Sequence, residues 1–165
     1  GDHASRAQRR DRDGARGGPL MKKTGRITAL LCENSAWKAW VDACGNGGQG
    51  GHAGQGGAGE AAKRLDGVDP VKLPCSGKVE TAMVLQLLEA GSAGVLVLAC
   101  PKDNCTYVRG SFRAEKRVAA AKAALREAGL DDGLVRLDFI SSLDSRKLLD
   151  IVAEFRASIL EGGAQ

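Results

Sequence analysis

The cysteines are the residues of this 165-residue sequence whose types and positions could do chemistry. A short apolar run, residues 93–99, ends at Cys100, and Cys105 closes the polar loop that follows. Cys32 and Cys75 also come at the ends of segments that are predicted to be strands. Thiolates act as nucleophiles and as ligands for soft metals. Their recurrence at strand ends predicts either a metal site or a thiol redox site.

Metal binding or electron transfer fits this pattern better than catalysis by a cysteine nucleophile. The sequence has no C-x-x-C pair for thioredoxin-like exchange. A cysteine phosphatase would need arginine six positions after the nucleophile, but that position is threonine after both Cys75 and Cys100. A cysteine hydrolase would need a histidine base, and the only histidines, His3 and His52, lie in segments predicted to be disordered. We therefore expect no catalytic residues.

Apolar runs alternate with segments of helical periodicity along the chain. The predicted strands cover residues 26–31, 68–73, 94–99 and 134–140. The predicted helices cover residues 36–43, 79–90 and 112–128 and a last segment after Asp144, with a short helical turn at 60–65. This alternation predicts an α/β fold: a small flavodoxin-like or Rossmann-like four-stranded parallel sheet with helices on both faces. Right-handed crossovers favour the strand order 2-1-3-4.

Polar residues at the predicted helix starts suggest where each helix begins. Asn34 or Ser35 is placed to cap the first helix, and Ser76 to cap the helix that follows the second strand. Ser141 and Asp144 resemble a capping box that opens the last helix. These residues set the predicted boundaries of the helices.

The predicted sheet brings the strand-end cysteines together. The carboxyl ends of parallel strands meet at one edge, and neighbouring strands lie roughly 4.8 Å apart, so Cys32, Cys75 and Cys100 can converge within about 10 Å. Cys105 returns from the loop as a fourth thiol. Four thiolates are the usual complement of a [2Fe–2S] or [4Fe–4S] cluster or of structural zinc. Cys44 lies outside this pattern, and we interpret it as structural.

Two alternatives to an iron–sulfur protein stay open at this point. The first is a structural zinc-binding interaction module, although structural zinc usually uses paired cysteine knuckles in small domains that lack a good core. The second is a metal-free thiol redox sensor in which Cys100 and Cys105 form a reversible disulfide. Ligand count alone does not exclude zinc, because structural zinc also takes four thiolates.

Composition and charge set the expected domain organisation. Residues 1–24 are polar and arginine-rich and are predicted to be a disordered extension, followed by a single α/β domain over residues 25–161 with a glycine-rich flexible loop at 45–59. The formal net charge of +4 is modest and comes largely from the extension, which argues against a nucleic-acid partner for the domain. No membrane-spanning run or signal peptide is evident, so a cytoplasmic location is expected.

Several stretches together resemble a known family, the iron–sulfur (delta) subunit of the methyl-viologen-reducing hydrogenase that is associated with heterodisulfide reductase. The resemblance covers about residues 26–160. It rests on LCENSA at 31–36, LPCSGKV at 73–79, GVLVLAC at 94–100, DNCTY at 103–107, Gly110, and RAEKRV at 113–118.

The resemblance implies a [2Fe–2S] cluster held by Cys32, Cys75, Cys100 and Cys105. It also implies an electron-transfer subunit, without catalytic residues of its own, between hydrogenase or formate dehydrogenase subunits and a heterodisulfide reductase A-like flavoprotein. Archaeal members often carry a second cysteine in the first loop, where this chain has Ser35. The glycine-rich segment resembles an insertion.

Four basic residues follow the last cysteine of the predicted site. They are candidates for docking a partner protein, or else they form an ordinary solvated helix face: Arg109, Arg113, Lys116 and Arg117.

Overall fold

The computed structural model describes residues 25–45 and 58–162. The arginine-rich extension over residues 1–24 lies outside this range, as do both histidines and residues 46–57 of the segment predicted to be a glycine-rich loop. The last two residues of that segment belong to a helix, α2 (Ala58–Leu65).

In residues 25–45 and 58–162, four parallel strands form one sheet, and their order confirms the predicted α/β fold and topology. They are β1 (Ile27–Cys32), β2 (Val68–Leu73), β3 (Gly94–Ala99) and β4 (Val135–Phe139). The spatial order is β2-β1-β3-β4. Every residue of β3 is buried, as expected for an inner strand of a sheet covered on both faces. Pro70 lies in β2, where an edge strand tolerates the missing N–H group.

Within the described residues, five helices cover the two faces of the sheet. The remaining four are α1 (Ala36–Ala43), α3 (Thr81–Glu89), α4 (Gly110–Glu127) and α5 (Ser145–Gly162). Trp40 of α1, Leu65 of α2 and Phe155 of α5 belong to the core on one face. On the other face, Val84 of α3 and Val118 of α4 belong to a second core. Among the described helices, none has the length and apolar character needed to cross a membrane.

Helix α1 begins at Ala36 as predicted, but the caps predicted at Ser35, Ser76 and Ser141 do not form. Ser76 does not cap α3, because it begins a 3-10 turn, Ser76–Lys78, and α3 starts only at Thr81. Ser35 precedes α1, but its side chain makes no capping hydrogen bond. The predicted capping box at Ser141 does not form either, since α5 starts at Ser145. Both Ser35 and Ser76 are instead buried at the carboxyl edge of the sheet, where the cysteines lie.

Candidate metal centre

Two of the predicted ligands lie side by side on the inner strands. Cys32 is the last residue of β1, and Cys100 directly follows β3, which is the neighbouring strand. Both side chains are buried, and their Sγ atoms are 3.4 Å apart. The convergence expected from parallel strand ends is therefore present for this pair.

The other two predicted ligands come from turns that meet at the start of α4. Cys75 follows β2 after one proline, and Cys105 ends the 3-10 turn Lys102–Asn104. Both sulfurs contact Gly110, the first residue of α4. A Cβ atom at this position would lie 2.4 Å from the Sγ atom of Cys75 and 3.0 Å from that of Cys105. Only glycine leaves room for both sulfurs there.

A second glycine brings the Cys75 turn onto α4. A Cβ atom at Gly77 would lie 2.9 Å from the Cα atom of Gly110, so the two backbones are in direct contact. Arg117 of α4 fixes this contact, because its Nη1 atom donates hydrogen bonds of 2.9 Å to the carbonyl oxygens of both Gly77 and Val79. Of the four basic residues considered as docking groups, Arg117 thus has a structural role.

The start of α4 makes Cys105 the most acidic of the shifted thiols. Burial raises the pKa of this thiol, but the Ser111 hydroxyl and the backbone N–H groups of Ser111, Tyr107 and Gly110 outweigh burial, so the pKa lies below its ordinary value. N–H groups at a helix N-terminus favour a nearby negative charge. The site therefore offers one thiol that ionises readily.

The remaining shifted thiols resist ionisation on their own. Burial raises the pKa of Cys75, against the effect of the Gly77 N–H group, which donates to its sulfur at 3.3 Å, and the sulfurs of Cys32 and Cys105 raise it further. Burial also raises the pKa of Cys100 to about 11, against the effect of the Ser35 hydroxyl, and the sulfurs of Cys32 and Cys105 raise it further. Several thiolates packed this closely need a cation to offset their charge.

The four cysteines of the site match a metal cofactor that is bound by four thiolates. Four thiols converge, Gly110 leaves a space that a side chain would fill, and two buried serine hydroxyls, those of Ser35 and Ser76, have no hydrogen-bond partner within residues 25–45 and 58–162. In the same ranges, no three His, Cys, Asp or Glu side chains have the arrangement that would hold a single metal ion. The fit therefore rests on the type and number of the donors and not on a formed coordination sphere.

Cys44 is placed as the sequence suggests. It directly follows α1, is partly buried, and packs against the core formed with α5. Burial alone raises its pKa. Among the described residues, it makes none of the sulfur contacts that join the other four cysteines, so we assign it a structural role.

An open groove and an exposed surface adjoin the site. The groove has a volume of about 260 Å³ and is lined by Cys75, Gly110, Tyr107 and Arg113, among others. Next to it, three large apolar side chains are exposed: Tyr107, Val108 and Phe112. Val108 has φ 57°, a conformation that β-branched residues seldom adopt.

Basic residues surround this apolar surface. No ion pair within the part of the chain that the structure describes involves Arg109, Arg113 or Lys116. These residues lie at or just after the start of α4, whose first turn contains no acidic residue. Cations at a helix N-terminus oppose the helix dipole, so their position does not serve the stability of α4.

The contacts around Gly110 and the two serines are the part of the site that spacing did not reveal. Gly110 is one of the positions of the family resemblance, but the sequence does not show that it contacts two of the cysteines. Ser76 matches a helix cap equally well. The contact between the turn after β2 and α4 assigns Gly110 to the site, and the burial of Ser76 directly after Cys75 adds this serine.

Comparisons with known proteins agree with this chemistry. The family described as "Methyl-viologen-reducing hydrogenase, delta subunit" matches residues 27–163. An iron-sulfur subunit of the F420-non-reducing hydrogenase of Archaeoglobus profundus is 34% identical over 96 residues, which cover 58% of this chain and 70% of that protein. The corresponding vhu iron-sulfur subunit of Methanocaldococcus jannaschii is 33% identical over 89 residues, or 54% of this chain and 66% of that protein.

A second kind of relative is much longer than this chain. The ferredoxin:CoB-CoM heterodisulfide reductase A subunit of Methanosarcina mazei is 33% identical over 93 residues. The match covers 56% of this chain but only 12% of that protein. The similarity is therefore to one segment of the reductase protein.

Proposed function

Because the chain belongs to the family of methyl-viologen-reducing hydrogenase delta subunits, we propose that it is an electron-transfer subunit that carries a [2Fe–2S] cluster. The observation that carries the proposal is the convergence of four cysteines at the carboxyl edge of the sheet. Iron–sulfur clusters of this type are held by four cysteine thiolates. The relatives named as iron–sulfur subunits support the same cofactor class.

Each of the four ligands has a defined support. Cys32 and Cys100 are held by the two inner strands, β1 and β3, and Cys75 and Cys105 by turns that rest on Gly110. When bound, the cluster supplies reversible one-electron chemistry. The chain supplies the thiolates and donates N–H groups toward the sulfurs of Cys75 and Cys105, which favours the added negative charge of the reduced state.

The proposed partners are other subunits of a redox complex. Relatives named as hydrogenase iron-sulfur subunits and as heterodisulfide reductase A subunits support electron transfer between a hydrogenase and a heterodisulfide reductase A-like flavoprotein. A formate dehydrogenase is the other donor implied by the sequence resemblance. We place the complex in the cytoplasm, where thiols stay reduced.

The exposed surface at the start of α4 is the proposed docking face. Tyr107, Val108 and Phe112 provide apolar contact area directly after the last proposed ligand. Arg109 and Arg113 add positive charge that has no intramolecular ion-pair partner among the described residues. A partner with an apolar patch and an acidic rim would complement this face and would lie close to the cluster.

Metal analysis and spectroscopy of anaerobically prepared full-length protein test the proposal. We expect brown protein with about two iron atoms and two sulfides per chain and an EPR signal that appears on reduction. Colourless protein with about one zinc ion per chain would contradict the proposal and favour the zinc module. Iron-free protein that forms a reversible Cys100–Cys105 disulfide would instead favour the thiol sensor.

A further inference from the structure

Two buried serine hydroxyls beside the cysteines lack a partner. Ser35 is 3% exposed and Ser76 is 1% exposed, and neither Oγ atom forms a hydrogen bond of normal geometry with any residue that the structure describes, although the Ser35 hydroxyl acts to lower the pKa of the Cys100 thiol. Buried hydroxyls are nearly always hydrogen-bonded, because an unpaired one costs folding free energy. A pair of them at one end of one sheet therefore requires an explanation.

Local structure does not provide that explanation. Ser35 precedes α1 without capping it, and the N–H group of Gly77 donates to the sulfur of Cys75 and not to Ser76. A third buried serine in the same region is satisfied, since Ser111 donates to the carbonyl oxygen of Cys100 at 2.8 Å. The packing of this region can thus satisfy a serine, yet it leaves two without partners.

The two hydroxyls are buried at the cysteine-bearing edge of the sheet and come from different segments of the chain. The N–H group of Ser35 donates to the carbonyl oxygen of Cys32 at 3.2 Å, and the Ser35 side chain lies close enough to the sulfur of Cys100 to interact with it. Ser76 directly follows Cys75. Ser35 therefore lies beside the cysteines of the inner strands, and Ser76 is the sequence neighbour of a cysteine in a turn.

We propose that Ser35 and Ser76 donate hydrogen bonds to sulfur atoms of the metal centre and thereby raise its reduction potential. The inference rests on the proposed function. Reduction adds one electron and makes the sulfur atoms more negative, so an O–H donor stabilises the reduced state more than the oxidised state. The serines act as donors to the ligand shell, and the four cysteines remain the ligands.

The experiment compares Ser35→Ala and Ser76→Ala with the wild-type full chain after anaerobic preparation. Each variant is expected to keep its iron and its EPR signal. The midpoint from an EPR-monitored redox titration is expected to become more negative by about 59 mV, which corresponds to a tenfold weaker preference for the reduced state. Ser35→Thr retains a hydroxyl and is expected to restore the midpoint.

Ser158→Ala is the matched control. Its hydroxyl donates to the Phe155 carbonyl oxygen at 2.8 Å on α5. The neighbouring Ile159 contacts Gly94 at the start of β3, which is the opposite edge of the sheet. The midpoint potential of the Ser158→Ala variant is expected to equal that of the wild type.

A second readout does not depend on the cluster. Because neither Oγ atom forms a hydrogen bond of normal geometry within the described residues, Ser35→Ala and Ser76→Ala should leave the Tm of the metal-free protein unchanged or raise it. A serine that merely supported the fold would lower the Tm when it is removed. The expected combination is a more negative midpoint together with an undiminished Tm.

The outcomes separate this inference from the proposed function. A loaded wild type with the same midpoint as both alanine variants overturns the inference and leaves the proposed function standing. Loss of iron from folded alanine variants also overturns it, because the hydroxyls would then be needed for ligation. A wild type that binds no iron refutes both proposals.

Discussion

Replacing Gly110 with alanine tests the geometry of the metal centre most directly. The new Cβ atom would lie 2.4 Å from the Sγ atom of Cys75 and 3.0 Å from that of Cys105. Non-bonded carbon and larger atoms pack at roughly 3.5–4.0 Å. The Cys75 sulfur would therefore have to move by about 1 Å or more, and a ligand displaced that far no longer holds a preorganised site.

The surroundings leave little room for that movement. The turn that carries Cys75 already touches α4 through Gly77, and Arg117 holds it there with two hydrogen bonds. We expect Gly110→Ala to reduce bound iron at least severalfold. The fold should persist, because beyond the two sulfurs the nearest atom to the added Cβ, the Gly77 nitrogen, would lie at an ordinary contact distance of 3.7 Å.

Gly59→Ala is the matched control for this substitution. Gly59 lies in α2, and a Cβ atom there would meet nothing within 4 Å. Both variants are prepared anaerobically and compared by iron and sulfide content, visible absorption and circular dichroism. If Gly110→Ala kept full iron and a wild-type EPR spectrum, the two sulfurs would not be held against the start of α4, and the account of the site would be wrong.

Two further predictions concern the ligands and their support. Cys75→Ser and Cys100→Ser should lose the cluster while Cys44→Ser keeps it, measured by iron content and EPR; equal loss in all three would mean that the ligand set is wrong. Arg117→Ala should lower the free energy of unfolding by about 1–3 kcal/mol in denaturant titrations, because two partly buried carbonyl oxygens lose a charged donor. Arg113→Ala, an exposed arginine of the same helix, should change it by less than about 0.5 kcal/mol.

The sheet could be predicted from the sequence because its signals are local. The strand at residues 94–99 is a continuous apolar run, and glycine and polar residues mark its limits. Right-handed crossovers predict the strand order, and this order places Cys32 and Cys100 at the ends of neighbouring strands.

The details around the site could not be predicted, because they depend on contacts between distant segments. Gly77 and Gly110 touch across 32 intervening residues, and neither glycine has a local feature that reveals the contact. Ser76 matches the helix-cap pattern, but it begins the 3-10 turn Ser76–Lys78, which separates it from the start of α3, and its hydroxyl is buried. Local capping preferences are weak compared with such tertiary contacts.

The four cysteines differ in how they are held, and this difference makes one side of the proposed site more accessible than the other. Cys32 and Cys100 lie on inner strands, beneath the surface, whereas Cys75 lines the open groove and Cys105 lies at the start of α4. The N–H groups that favour negative charge surround Cys105, on the side that also exposes Tyr107, Arg109 and Arg113. An electron added to the proposed cluster would be stabilised most on this side, which is also the side that a partner can approach. We therefore expect electrons to enter and leave the proposed cluster through the proposed docking face.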